Sequence, residues 1–345
     1  MASVTKRGNS WSVIWREDGR QQRKTFVTRE DALIFKADTE GAVRRGRRTT
    51  ATGKATFGTW WDTYSQQRPN VRASTLLRSQ QVARAHLLPR WADTRLVDIT
   101  HSDIQGWIGT LDVAPATVKK VYQELKSCLA AAVRSKALTE NPCDGILLPK
   151  ATKHDMTIVT PVQLAALADA VPDRHRALVL TLGYAGLRIG EALALVPSDV
   201  AHGYVNVSKT LTQTASGYEA GSPKSSAGVR SVPTPGHLQA TLTEHLASYP
   251  GPYVFSGEQG GRLQAHNFSQ RTFKRAVEDV LDRPMRVHDL RHTAITYWIQ
   301  AGIPLPQVVK WAGHSTASFT LDRYAHFFPK DDAQYMTLLD GYTQR

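Results

Sequence analysis

Arg188, His288 and Arg291 are the residues whose types and spacing could act together, and the chemistry they suit is that of an oxyanion. His288 and Arg291 stand three apart in His288-Asp289-Leu290-Arg291-His292, so on a helix they share one face. Arg188 lies between an apolar stretch, residues 177–185, and Glu191-Ala192-Leu193-Ala194-Leu195. That position reads as a helix start, where unpaired backbone N–H groups also favour anions. A guanidinium is a planar fork of donors, so two arginines can clamp the two non-bridging oxygens of a phosphodiester. Glu191 reads as a helix-start carboxylate that supports the site, not as a base. His288 and His292, four apart, could instead ligate zinc. Against that, Asp289 stands where a metalloprotease carries Glu, and Arg291 would repel a cation. The phosphate-loop, dinucleotide and Gly-x-Ser-x-Gly signatures are absent, and the glycines of 183–191 have the wrong spacing for any of them.

Three segments must position these groups. Residues 10–16 alternate apolar and polar and read as a strand; a turn at 17–20 leads to a second strand at 21–27, and Thr28 caps a helix over 29–44. Arg44-Arg45-Gly46-Arg47-Arg48 then opens a Thr/Gly/Ala linker. Residues 57–150 read as a bundle of about four helices, over 57–67, 74–87, 103–111 (capped by Ser102) and 117–136. The remainder opens with a capping box, Thr160-Pro161-Val162-Gln163, and its apolar helix 177–185 ends at Gly186. Strands are expected at 204–212 and 229–233 around a Gly/Ser-rich loop. Helices are expected at 236–248, 265–281, 288–301 and 304–311, then one carrying Tyr324.

The 345 residues fit two or three domains. With 43 Lys/Arg against 30 Asp/Glu the net charge is +13, and 41% hydrophobic content excludes a wholly disordered chain. Residues 1–56 carry +7, residues 57–154 carry +5 and the rest only +1. A basic front on a nearly neutral back suggests that the front grips a polyanion, nucleic acid first, while the back acts locally. Arginines outnumber lysines 28 to 15, which suits bidentate phosphate contacts. Two cysteines, Cys128 and Cys143, exclude a disulfide scaffold and a Cys-rich zinc module. No 18-residue apolar run and no signal-peptide region are present, so a cytosolic setting without a membrane span is expected.

In order along the chain, Arg188 in Ala-Gly-Leu-Arg-Ile-Gly-Glu, then His288-Asp-Leu-Arg291-His-Thr, Gly313-His314 and Tyr324 closely resemble the tyrosine recombinase (phage integrase) family. The spacing matches too: 100 residues from Arg188 to His288, 23 from Arg291 to His314, and 10 more to Tyr324. Lys224 matches the family's hairpin lysine, with Lys209 as its rival. The resemblance implies a multidomain chain of the DNA breaking-rejoining fold. A small α+β arm-binding-like domain with a basic linker would span 1–55, and an all-α core-binding domain 56–152. A mainly α catalytic domain with a small β-sheet and a C-terminal tail would span 153–345.

The resemblance also implies an activity: an integrase that cuts and rejoins duplex DNA through a 3′-phosphotyrosyl intermediate, integrating and excising a phage or mobile element. Tyr324 would be the nucleophile, Arg188 and Arg291 the phosphate clamp, and His288 and His314 hydrogen-bond donors to the phosphate. His288 would also accept the tyrosine proton, and Lys224 would be the general acid. No cofactor and no metal are implied. Arg16, Arg20, Arg23 and Lys24 would contact arm-site DNA, and Arg44, Arg45, Arg47 and Arg48 the phosphate backbone. Implied partners are duplex attachment sites, three further copies in a homotetramer on DNA, a host DNA-bending protein and an excision factor. The setting would be the bacterial cytoplasm, at the nucleoid. The tail 326–345 is apolar enough to dock on a neighbouring subunit or on its own domain. A type IB topoisomerase shares the motif set, but a separate arm-like domain and a tail beyond Tyr324 favour the recombinase. A non-catalytic DNA-binding regulator on the same scaffold is countered by the intact set of six residues.

Overall fold

The structure, a computed structural model, describes residues 3–8, 10–17, 20–44, 55–150, 155–223, 226–328 and 332–343. It divides into two compact units, Met1–Lys153 and His154–Arg345.

The first unit begins with an antiparallel sheet, β1 (Ser3–Arg7), β2 (Ser10–Glu17) and β3 (Arg20–Phe26), in that order. The two-residue period of β2 sends Trp11, Val13 and Trp15 to one face, and the register adds Val4 and Phe26. α1 (Arg29–Arg44) covers that face through Ala32 and Phe35. Thr28 opens α1, its hydroxyl accepting from the Asp31 N–H at 3.1 Å. The sequence predicts two strands here; β1 is a third. Its residues Ser-Val-Thr-Lys-Arg offer one apolar side chain, Val4, so no alternation marks it.

Five helices, α2 to α6, and a π-helical turn follow among the described residues. α2 (Phe57–Gln66) starts at the Thr56 cap and buries Phe57, Trp61 and Tyr64. α3 (Ala73–Val82) runs through a π-helical turn, Ala83–Leu87, into α4 (Leu88–Trp91). α5 (His101–Thr110) is capped by Thr100, whose hydroxyl accepts from Asp103 N–H while the Asp103 carboxylate accepts in return. The expected cap was Ser102, but a side chain at Thr100 closes the full box, so the helix starts two residues earlier. α6 (Pro115–Arg134) has Pro at its first turn and buries Val118, Val121, Tyr122, Leu125, Cys128, Leu129 and Ala132, a helical stripe. Each large apolar side chain so buried contributes about 1.5–3 kcal/mol. Cys128 and Cys143 are buried free thiols.

The second unit is built around α8 (Asp173–Ala185), buried along most of its length and packed by α7 (Pro161–Asp169), with further helices described below. The expected Thr160–Gln163 capping box is present. α8 stops at Gly186, whose φ of +61° is left-handed, and α9 (Ile189–Ala192) follows. β4 (Val200–Ala201), β5 (Tyr204–Val207) and β8 (Arg230–Pro233) form one sheet in the order β4-β5-β8, while β6 (Thr210–Thr214) and β7 (Gly217–Gly221) form a separate hairpin. The single strand expected over 204–212 is therefore two: β5 is already paired on both edges, so the chain leaves that sheet after Val207.

α10 (Gly236–Ser248) packs on α8. The helix expected at 265–281 is α11 (Ala265–Asn267), a π-helical turn Phe268–Phe273, and α12 (Lys274–Val280). The wider turn lets Phe268 and Phe273, five apart, both face the core. α13 (Val287–Gln300) packs along α8, and α14 (Leu305–Ala312), α15 (Ala317–Tyr324) and α16 (Asp332–Thr343) complete the unit. Among the described residues no helix is long and apolar enough to cross a membrane.

Candidate active site

The site forms where the C-terminal end of α14 meets three arginines from three other elements. The last carbonyls of a helix lack intrahelical donors and carry partial negative charge. Here Arg230 of β8 donates from Nε to Trp311 O at 2.6 Å, Arg291 of α13 donates from Nη2 to Ala312 O, and Arg188 donates from Nη2 to Gly313 O at 3.5 Å. Three successive carbonyls thus gather three guanidinium groups. Gly313 adopts φ +64°, and His314 N–H closes the turn on Val309 O at 3.2 Å. A Cβ at Gly313 would lie 2.9 Å from Ala227 O and 3.1 Å from Arg230, so the approach requires glycine.

Arg188 is the N-cap of α9, at the helix start expected for it. Glu191 lies one turn on and ties the cluster together. Its Oε1 accepts from Arg188 Nη1 at 2.7 Å; its Oε2 accepts from Arg188 N–H at 2.9 Å and from Arg230 Nη2 at 2.8 Å. The Glu191 and Arg230 side chains are each 2% exposed. Burial alone would raise the carboxyl's pKa, but the bond to Arg230 and the surrounding guanidinium charges hold it at about 2. Glu191 is therefore a fixed anion, as its reading as a supporting carboxylate requires.

Arg291 is buried, and its second prong, Nη1, donates to Gly186 O at 2.6 Å. Both ends of its fork are thus engaged by backbone, and what it delivers into the site is a fixed positive charge. Arg188, whose side chain is 43% exposed, is the more open of the two. His288 lies in the first turn of α13, three residues before Arg291 as its spacing required. It is exposed at the surface, yet partial desolvation of its ring and then the Arg291 charge push it down to about 4. His314 is buried, and its Nδ1 is bonded to Thr320 Oγ1 at 2.8 Å. Burial, then Arg291 and Arg188, push it down to about 3. Both histidines are thus neutral near pH 7, each with one donor and one acceptor nitrogen.

Tyr324, the last residue of α15, is 1% exposed, and its hydroxyl is bonded to His292 Nδ1. Burial pushes the phenol up to about 12 against the opposing pull of Arg291. Burial and then His288 push His292 down to about 3. By spacing alone, His292 reads only as a zinc partner for His288. The structure gives it a different bond, to the phenol, and sets the two imidazoles edge to face at 4.8 Å. Among the described residues no group of three or more His, Cys, Asp or Glu could hold a metal ion.

Lys224 lies outside the described residues. The strands on either side of it, β7 and β8, belong to two different sheets, so the connection is not the simple hairpin expected there. Its rival Lys209 is exposed between β5 and β6. Two functional features escaped the sequence reading. Arg230 bonds partners 39 and 81 residues away, and His292 meets Tyr324 across 32 residues. The one available signal was the His-x-x-x-His spacing, which has more than one use.

In the first unit the register separates the expected DNA contacts. Arg23 falls on the sheet face away from α1, with Thr5, Ser12 and Thr25, whereas Lys24 falls on the face that α1 covers; Arg16 belongs to β2 and Arg20 to β3. Arg23 donates to Ser12 Oγ from Nε and Nη2 at 3.2 and 3.0 Å, and Lys24 sits 4.7 Å over the Phe35 ring. The two-residue period turns the neighbours Arg23 and Lys24 to opposite faces of the sheet. Arg44 ends α1; Arg45, Arg47 and Arg48 lie outside the described residues.

Comparison with known proteins follows the same division of the chain. The phage integrase family matches residues 158–330, and the phage integrase N-terminal SAM-like domain matches residues 56–111. The chain is 29% identical over 330 residues to the prophage phiRv2 integrase of Mycobacterium tuberculosis, covering 92% of this chain and 88% of that one. It is 25% identical over 274 residues to the integrase of Mycobacterium phage D29, covering 76% and 73%. Among solved structures, the Tn1549 transposon integrase in complex with transposon right-end DNA matches with a TM-score of 0.69 at 21% identity, over 78% of this chain and 95% of that one. A lambda integrase tetramer bound to a Holliday junction matches at 0.60 and 16% identity, over 93% and 95%.

Proposed function

This chain belongs to the phage integrase family and is a site-specific tyrosine recombinase acting on DNA, and from that premise we propose that Arg188, Lys224, His288, Arg291, His314 and Tyr324 carry its strand exchange. Tyr324 Oη attacks a backbone phosphorus, giving a 3′-phosphotyrosyl enzyme and a free 5′ hydroxyl. The phosphoryl oxygens gain negative charge during attack, and preorganised cations there supply the largest share of the stabilisation. Arg188 contacts the oxygens, and Arg291, anchored by two carbonyls, supplies a fixed positive field. His314 Nδ1 is bonded to Thr320 Oγ1, and with that hydroxyl as the donor the neutral ring carries its proton on Nε2, which in this reading faces the phosphate. His288 donates from the rim, and Lys224 protonates the leaving 5′ oxygen. The phosphotyrosyl link conserves the energy of the broken bond, so rejoining to another strand proceeds without a high-energy cofactor.

In this reading the segments 1–55, 56–152 and 153–345 divide the labour into arm-site binding, core-site binding and catalysis. The basic excess of the first two supports their contact with phosphate. The enzyme acts as a homotetramer on duplex attachment sites in the bacterial nucleoid, with a host DNA-bending protein and an excision factor.

The observation that carries the reading is the gathering of Arg188, Arg291 and Arg230 on three successive carbonyls immediately before His314. The test uses a pool of nicked duplexes with randomised cores. Cleavage beside the nick releases a short 5′ fragment and traps the protein covalently, so the trapped duplexes identify the substrate. Wild-type protein enriches one sequence; Tyr324→Phe binds it and forms no adduct. Adduct formation by Tyr324→Phe would move the nucleophile elsewhere.

A further inference from the structure

Attack by Tyr324 requires that its hydroxyl proton leave, and the group that takes it must lie within hydrogen-bond reach. Among the described residues the phenol's hydrogen-bond partner is His292 Nδ1, not His288. The two rings lie 5.7 Å apart, centroid to centroid, and both are buried. His292 immediately follows Arg291 in α13, so the backbone that fixes the buried arginine also fixes this imidazole. His292 Nε2 is buried without a hydrogen-bond partner. The large majority of buried side-chain polar atoms have a hydrogen-bond partner. Here one nitrogen addresses the proposed nucleophile and the other is unpaired.

We propose that His292, rather than His288, is the catalytic residue that takes the proton of Tyr324, an assignment that rests on the reading of Tyr324 as the nucleophile. In cleavage the Oη–H bond breaks and its proton passes to His292 Nδ1. Oη bonds to phosphorus, and the bond from phosphorus to the 5′ oxygen breaks. That oxygen leaves with a proton from the general acid assigned to Lys224. In rejoining, the 5′ hydroxyl attacks phosphorus and gives its proton to that lysine; Oη departs and recovers its own from His292. Burial keeps His292 uncharged beforehand, and with the phenol donating to Nδ1 that nitrogen holds the ring's lone pair. His288, at the rim, is then left to hydrogen-bond the phosphate alone.

The test is His292→Asn in the full-length protein, acting on the nicked duplex enriched by the wild type. Asn keeps a polar atom near the position of Nδ1 but cannot carry a proton. The expected result is wild-type binding of that duplex with cleavage slowed by about 10²–10⁴-fold, the usual worth of a general base. Rejoining, measured by adding a 5′-hydroxyl strand to preformed adduct, slows by a similar factor, because the same group returns the proton. A 5′-bridging sulfur, which leaves without a proton, restores cleavage by Lys224→Ala but not by His292→Asn. If His292→Asn does not bind the duplex, His292→Gln is read in the same way. A loss under tenfold, or faster cleavage as expected had His292 merely held the phenol down, overturns the proposal. Tyr324→Phe run alongside separates the two failures. Adduct formation by that variant refutes the nucleophile reading, whereas its silence beside near-normal cleavage by His292→Asn refutes only the role of His292.

Discussion

Replacing Glu191 with Gln removes one charge from the most buried ion pair of the site while preserving its shape. The carboxyl is held at about 2 against an ordinary 4.5, so its ionised form favours the folded state. One pKa unit corresponds to about 1.4 kcal/mol, which puts the contribution at about 3 kcal/mol at pH 7. Breaking a buried pair by removing one partner costs about 3–5 kcal/mol, which agrees. Because the folded pKa is depressed, the stabilisation is fully present above about pH 4.5 and is lost as pH falls towards 2. At pH 3 about 1 kcal/mol of it should remain. The assay is urea unfolding of the full-length wild type and Glu191→Gln at pH 7 and pH 3. The variant should be less stable by about 3 kcal/mol at pH 7 and by about 1 kcal/mol at pH 3. A deficit below about 1 kcal/mol at pH 7, or equal deficits at both pH values, would refute the claim that Glu191 is a buried anion holding two arginines.

Gly313→Ala places a Cβ 2.9 Å from Ala227 O at φ +64°. It should cost at least about 1–2 kcal/mol in a thermal melt and slow cleavage by displacing Arg230; unchanged melting and cleavage would contradict this. Arg23→Ala should weaken binding of arm-site duplex and lower the salt slope by about 1, whereas Lys24→Ala, on the covered face, should leave the slope unchanged. Equal effects of the two on the slope would contradict the register argument. EDTA should leave cleavage of the nicked duplex intact, and its loss would revive a metal role for His288 and His292.

The elements with strong local signals were legible in the sequence. Thr28 and the apolar spacing after it marked α1 over 29–44, and Thr160-Pro-Val-Gln marked the start of α7. Gly186 marked the end of α8 because a left-handed residue there stops the helix. β1 was missed because a polar edge strand carries no hydrophobic period, and β7 because Gly-Tyr-Glu-Ala-Gly is bounded by two glycines and offers one large apolar side chain. At the site, the spacing of His288 and Arg291 and the helix-start position of Arg188 could be read directly. The Arg230–Glu191 pair and the His292–Tyr324 bond could not, because they are contacts across the fold between residues that carry no local pattern. For the same reason the sequence could not show that Arg291 spends both prongs on backbone carbonyls.

The most direct measurement traps wild-type protein on the enriched nicked duplex, digests protein and DNA, and locates the attached nucleotide by mass spectrometry. The expected result is a single modified peptide with the 3′-linked nucleotide on Tyr324. Attachment at any other residue, or no covalent product from a duplex that the protein binds, would contradict the account.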